Sequence, residues 1–396
     1  MPAKPTRPLN PAMAATTPPP VMEARRWLTD TPPPAHLPLV NVSQAAPVEP
    51  PPMALREELA RIVVEDASAH LYGPVLGLPE LRAEVAQQWS ASYGGPVAET
   101  QVAITSGCNE AFTAALSTLA GAGDEVILPL PWYFNHKMAL DMAGIACVPL
   151  PPGPGLIPDV DTARSAITER TRAIVLVSPN NPSGVEYPAA TLRAFFDLAR
   201  AHGLALIVDE TYRDFDSRSG AAHELFADPD WDDTLIQLYS FSKAYRLTGH
   251  RVGAMVASEA RLAEVEKYLD TVTICPNQLG QRAALWGMRN LSQWLAGERA
   301  EILDRRAAIE ESFPRLDGWR LLGCGAYFAY AEHPFDMTSD TLARRLVGEA
   351  GVLVLPGTMF MPDGDPGGAR QLRIAFANAD RQGLGVLFDR LAGFRP

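Results

Sequence analysis

Lysine is scarce in this chain. Its 396 residues hold four: Lys4, Lys137, Lys243 and Lys267. Lys243 stands out because it follows an apolar run and has small hydroxylated neighbours, in Tyr239-Ser240-Phe241-Ser242-Lys243. Lysine is rarely buried without a partner, and a desolvated lysine titrates down and becomes a nucleophile able to form a Schiff base. Ser240 and Arg251, close by, suit a phosphate. The plainer reading is a solvated lysine in a loop.

Other segments weigh against that reading. Asp209 ends the apolar run Leu204–Asp209 and precedes Glu210-Thr211-Tyr212. An Asp at such a strand end can pair with a protonated ring nitrogen, the charge partner that pyridoxal 5′-phosphate (PLP) needs to act as an electron sink; otherwise it caps a turn. Asn181, in Ser178-Pro179-Asn180-Asn181-Pro182-Ser183-Gly184, sits in a rigid turn that would hold its amide in place. Ser106, Gly107 and Cys108 lie between a strand and a helix, where backbone N–H groups form an anion site. Tyr133, in Pro131-Trp132-Tyr133-Phe134-Asn135-His136, offers an aromatic face for stacking, or packs in a core. Arg373, in the apolar run Leu372–Phe376, wants a carboxylate, either a ligand's or one from an internal salt bridge.

These residues need elements to position them. From residue 100 the chain alternates short β-rich runs with helical patterns. Strands are expected at Val102–Thr105, Glu125–Leu130, Cys147–Leu150, Ala173–Ser178, Leu204–Asp209, Leu235–Tyr239 and Val252–Ala257. Helices are expected at Glu110–Leu119, Lys137–Ala143 and Ala189–His202. The pattern predicts an α/β fold: a large domain with a mostly parallel sheet sandwiched by helices, ligands at the strands' carboxyl ends. A helical run over Gln278–Glu311 follows, and the rest reads as a smaller α+β domain. The expected division is a flexible Pro-rich tail at 1–20, an arm at 21–52, a large domain at 53–285 and a small one at 286–396. Residues 1–52 hold 15 of the 36 prolines, so this part is expected to be extended, with at most one short helix near Val21–Leu28 and the first fifteen or so residues mobile.

Composition excludes other classes. A net charge of −12 with no Lys/Arg-rich run argues against nucleic acid. No apolar stretch is long enough to cross a membrane, and no secretory signal is present, so a cytoplasmic location is the default. The cysteines Cys108, Cys147, Cys275 and Cys324 are far apart and read as free thiols, with no metal-ligand spacing. No GxGxxG follows a strand, and no Walker A loop, HExxH or GxSxG occurs.

Together and in this order, the segments resemble the class I/II aminotransferases of PLP fold type I, the aspartate aminotransferase-like enzymes, from about residue 40 onward. The resemblance implies that Lys243 holds PLP as an internal aldimine and shuttles the proton at substrate Cα. It implies that Asp209, backed by His136, pairs with the pyridine nitrogen. Asn181 and Tyr212 would hydrogen-bond the phenolic oxygen, and Tyr133 would stack on the ring. The amides of Ser106, Gly107 and Cys108, with Ser240 and Arg251, would hold the phosphate. Arg373 would bind the substrate α-carboxylate. Tyr72 would reach the phosphate of a neighbouring subunit, making a homodimer.

One departure is the run Ser43-Gln44-Ala45-Ala46-Pro47, where the family usually has a glycine near the substrate. The Ala46 methyl would narrow the pocket there or shift the main chain. For a second substrate carboxylate, Arg282 and Arg289 are candidates by proximity, though both fit a solvated helix face. The expected reaction moves an α-amino group between an amino acid and a 2-oxo acid. The alternatives are another fold type I PLP reaction, such as C–S or β-elimination, ring-forming elimination or amino-acid oxidation. A PLP-binding transcription regulator would need a DNA-binding helix-turn-helix, which residues 1–52 do not supply.

Overall fold

A computed structural model describes residues 9–395. Its first elements are helices α1 (Pro11–Ala15) and α2 (Pro20–Asp30). The proline-rich start therefore holds two helices rather than one. The cause is local: the Asn10 side chain caps α1, and each helix opens on a proline, whose missing N–H would be unpaired there anyway. Of the first fifteen or so residues expected to be mobile, residues 1–8 fall outside the described residues, and α1 occupies Pro11–Ala15.

Helix α2 buries Ala24 and Trp27, while the Arg344 guanidinium lies 4.4 Å above the Trp27 ring. Trp27 is 2% exposed, so removing its ring costs about 3–5 kcal/mol. Strand β1 (Val40–Asn41) then carries the arm toward residues 43–46. Helices α3 (Met53–Glu65) and α4 (Pro79–Tyr93) follow, α4 closing on Gly94 in the left-handed conformation.

Seven strands form the main sheet: β2 (Val102–Thr105), β3 (Glu125–Pro129), β4 (Ala146–Leu150), β5 (Thr171–Val177), β6 (Ala205–Asp209), β7 (Leu235–Ser240) and β8 (Gly253–Val256). Their order is β2-β8-β7-β6-β5-β3-β4. Only β8 runs against the rest. The central strands are continuous apolar runs because helices cover both faces; every residue of β6 and β7 is buried. Helix α5 (Cys108–Ser117) follows β2, and α6 (Phe134–Ala143) follows β3.

The second sheet comes from β9 (Arg320–Gly325), β10 (Phe328–Glu332), β12 (Leu355–Pro356) and β13 (Gln371–Ala375), antiparallel in the order β12-β13-β10-β9. A short β11 (Val352–Leu353) pairs in parallel with β1. Val42 extends this contact by accepting from the Ala375 N–H at 2.8 Å, so the arm is sewn to the second sheet. The long helical run predicted over 278–311 is two helices, Gln278–Asn290 and Ser292–Ser312. They part at Leu291, next to Asn290, whose side-chain amide donates to the Trp286 carbonyl and so competes for backbone groups. No helix among the described residues is long and apolar enough to cross a membrane.

Candidate active site

The candidate residues meet at the carboxyl edge of the main sheet. Asp209 ends β6, Ser240 ends β7, and Lys243 lies in the short helix Phe241–Ala244 directly after it. Asn181 follows β5, Cys108 opens α5 after β2, and Tyr133 precedes α6 after β3. Because β8 is antiparallel, its start brings Arg251 to the same edge. Arg373 reaches in from β13, opposite Tyr330 and Leu355. The result is a cavity of about 310 Å³ lined by these eight residues and by Tyr212, Thr211, Asn109 and the arm residues Gln44, Ala45 and Ala46.

Asp209 is buried, and its carboxylate lies 3.2 Å from His136 Nε2. The Thr211 N–H donates to it at 2.9 Å. Burial alone would raise its pKa, but His136 and Thr211 outweigh burial and hold the carboxyl below its ordinary value. Asp209 is thus an anion at neutral pH. His136 is fixed in turn by stacking on Phe112, with ring centroids 4.0 Å apart.

Lys243 donates to the Ala45 carbonyl at 2.7 Å, and its amine lies 6.0 Å from the Tyr212 ring centroid. Burial pulls its pKa down to about 8, and the positive charges of Arg251 and Arg373 add to the effect. A neutral, nucleophilic amine is therefore accessible near physiological pH. The thiol on the wall is inert: burial pushes Cys108 well up, and the Asp209 charge pushes it further.

Arg373 is 2% exposed, yet no carboxylate among the described residues pairs with it, so the internal salt bridge is ruled out. Nη1 donates to Asn181 Oδ1 at 3.1 Å, Nη2 donates to the Ser43 carbonyl, and Nε is buried without a partner. The rings of Phe134, Phe328 and Phe360 surround the guanidinium, with centroids 5.0–5.9 Å away. Burial lowers its pKa to about 10, still charged at neutral pH. A desolvated cation without an acid is a ready anion site.

At the other end of the cavity, Arg251 adopts φ +51°, and its Nη1 donates to the Thr248 carbonyl at 3.1 Å. Its guanidinium lies against Gly107, where a Cβ would collide with it. Gly107 also has φ +93°, so glycine is required there on both counts. Ser106 and Gly107 stand behind the wall, and the Ser106 N–H is taken by the Glu110 carboxylate. Ser240 is buried, its hydroxyl accepting from the Ser242 N–H at 3.3 Å. Tyr212 is buried edge-on against Tyr327 and Phe328. Tyr133 receives a hydrogen bond from the Asn135 amide at 2.8 Å.

Three further expected residues lie away from the cavity. Tyr72 is 79% exposed on the surface. Arg282 and Arg289 are tied up elsewhere, by Asp66 and Glu84, each at 2.8 Å.

The pattern described as Aminotransferase class I and II matches residues 39–391. The chain belongs to this family. Among class I and II aminotransferases, an aromatic aminotransferase of Arabidopsis thaliana is 32% identical over 339 residues, 83% of this chain and 82% of that protein. A methionine aminotransferase of Escherichia coli (strain K12) is 30% identical over 353 residues, 86% of this chain and 88% of that one. The structure of Thermus thermophilus aspartate aminotransferase with maleate superposes with a TM-score of 0.87 at 25% identity, covering 98% of this chain and 99% of that chain. The protein is thus a PLP-dependent enzyme that transfers amino groups between amino acids and oxo acids, and elimination or oxidation is not favoured.

The residues present fit PLP. The buried anion Asp209, the lowered amine of Lys243 and the glycine cradle beside Arg251 are the three charges and shapes the cofactor needs. Sequence reasoning missed several groups on this wall. The Thr211 N–H and the Ala45 carbonyl act through the backbone and leave no side-chain signal. Asn109 and Gln44 resemble ordinary surface amides in sequence and gain meaning only from the cavity they line.

Proposed function

We propose that Lys243 is both the attachment point of PLP and the group that moves the proton at substrate Cα. The observation that carries this is its amine, at a pKa of about 8, in a cavity between the anion Asp209 and the unpaired cation Arg373. When bound, PLP supplies an electron sink for the Cα–H bond. Asp209, with His136 behind it, would keep the pyridine nitrogen protonated. Arg373 would bind the substrate α-carboxylate and so orient Cα toward Lys243. Asn181 accepts from Arg373 through Oδ1, so its Nδ2 is left to donate to the cofactor's phenolic oxygen beside Tyr212. Ser240, Arg251 and the Gly107 and Cys108 amides at the start of α5 would hold the phosphate, with Tyr133 stacked on the ring. Ala46 would limit the room beside the substrate.

We also read the enzyme as a cytoplasmic homodimer. The exposed apolar residues Val64, Leu71, Tyr72, Val272 and Ile274 support a covered face here. The Gly73 N–H, 3.4 Å from Cys275 Sγ, joins the two segments that carry most of them. Tyr72 would then serve the partner's phosphate site. Four free cysteines suit a reducing compartment.

The test is the visible absorption of the purified holoenzyme as single amino acids are added without an oxo acid. Bleaching that reverses on adding a 2-oxo acid is expected, and Lys243→Ala should abolish it. Ammonia release without an oxo acid would point instead to elimination or oxidation.

A further inference from the structure

We propose that a second cavity, apart from the active site, binds a phosphate group. It lies beside the segment that follows β6, has a volume of about 540 Å³, and shares no wall residue with the first cavity. Tyr212 lines the active site, and Arg213, its neighbour in the chain, lines this one. Three arginines, Arg213, Arg218 and Arg299, stand on the wall against a single acid, Asp216, a net charge of +2. On a chain whose net charge is −12, such a wall is not the general field of the surface.

Two of the three cations have no acid within hydrogen-bond reach among the described residues. The Arg213 side chain is 15% exposed, and its Nη1 is buried without a partner. Its Nε stays 3.8 Å from Asp214, whose carboxylate accepts from the Tyr239 hydroxyl at 2.6 Å. The guanidinium instead sits over the Trp89 ring, 4.0 Å from its centroid, with the Tyr93 centroid 5.0 Å away. This stacking fixes the charge without satisfying its donors. Arg299, on the helix Ser292–Ser312, donates only to backbone carbonyls, those of Asp216 at 2.9 Å and Arg218 at 3.1 Å. Arg218 holds Asp216 by two bonds, from Nε at 2.9 Å and from Nη2, which neutralises the one acid. The rest of the rim is Ser219-Gly220-Ala221-Ala222, small residues that leave the entrance open. Stacking alone would account for one arginine. It does not account for a second, from another helix, that arrives with no acid. Two uncompensated guanidinium groups at one cavity suit a phosphate dianion, which accepts from several donors at once.

The experiment titrates the PLP-loaded enzyme, in phosphate-free buffer, with inorganic phosphate and with glycerol 3-phosphate, by calorimetry and by thermal unfolding. Saturable heat and a Tm that rises with ligand are expected, with the visible cofactor band unmoved. Arg213→Gln and Arg299→Gln should each weaken binding about 10-fold or more, the scale of a lost charge-assisted hydrogen bond. Ala221→Asp, at an exposed position on the rim where folding is not at stake, should weaken it by repulsion. Arg373→Leu should bind as the parent does, because its charge belongs to the other cavity. Tighter binding of one ligand names the source, free phosphate or a phosphate ester. Heat that potassium chloride reproduces at matched ionic strength, or binding that survives all three variants in this cavity, would overturn the site. So would the absence of any heat or Tm rise, or binding lost in Arg373→Leu alone.

Discussion

Asn181 Oδ1 accepts from Arg373 Nη1 at 3.1 Å, joining a turn of the main sheet to a strand of the second one. The bond orients the amide and leaves the guanidinium without a charged partner. Asn181→Asp would place an acid on Arg373 and fill the role reserved for the substrate carboxylate. KM for every amino acid should rise about 10- to 100-fold, the scale of a charge-assisted hydrogen bond. Steady-state kinetics check this; an unchanged KM would contradict it.

The free amine of Lys243 has a pKa of about 8, and only the neutral amine can attack PLP. The rate of PLP uptake by cofactor-free enzyme should therefore climb with pH through about 8 and level off above it. Arg373 contributes to that lowering, so Arg373→Leu should move the midpoint to higher pH. Stopped-flow absorbance across a pH series reads both.

His333 is fully buried beside Trp319 and Phe335, and among the described residues neither ring nitrogen has a hydrogen-bond partner. Burial, with Arg370 adding, pulls its pKa from 6.5 to about 4. The unfolded chain thus binds a proton that the folded one refuses, so stability falls as pH drops from about 6.5 toward 4. His333→Phe should flatten that part of the curve, as measured by thermal unfolding at several pH values. An unchanged slope would remove His333 from the account.

If the apolar face around Tyr72 joins two subunits, Tyr72→Asp should shift the sedimentation coefficient toward monomer and weaken PLP retention together. Tyr72→Phe should keep the dimer and lose only retention. A parent enzyme that sediments as a monomer would end this reading.

Much of the site was legible in the sequence because its chemistry sits at strand ends. Asp209, Ser240 and Asn181 terminate or follow apolar runs, and such runs announce both the strand and the edge where ligands gather. The turn at Leu291 was not legible, since the apolar period continues through it and only local side-chain bonding interrupts the backbone. Arg282 and Arg289 misled because proximity along the chain says nothing about the acids that already hold them.

Three successive carbonyls of the arm, those of Ser43, Gln44 and Ala45, are gripped by Arg373, Asn378 and Lys243. Two of those grips come from the last tenth of the chain and one from its middle. A ribosome-bound chain therefore cannot assemble this pocket, however well its seven-stranded sheet has formed, until Arg373 and Asn378 have been made. The arm waits for partners 330 and 334 residues further along.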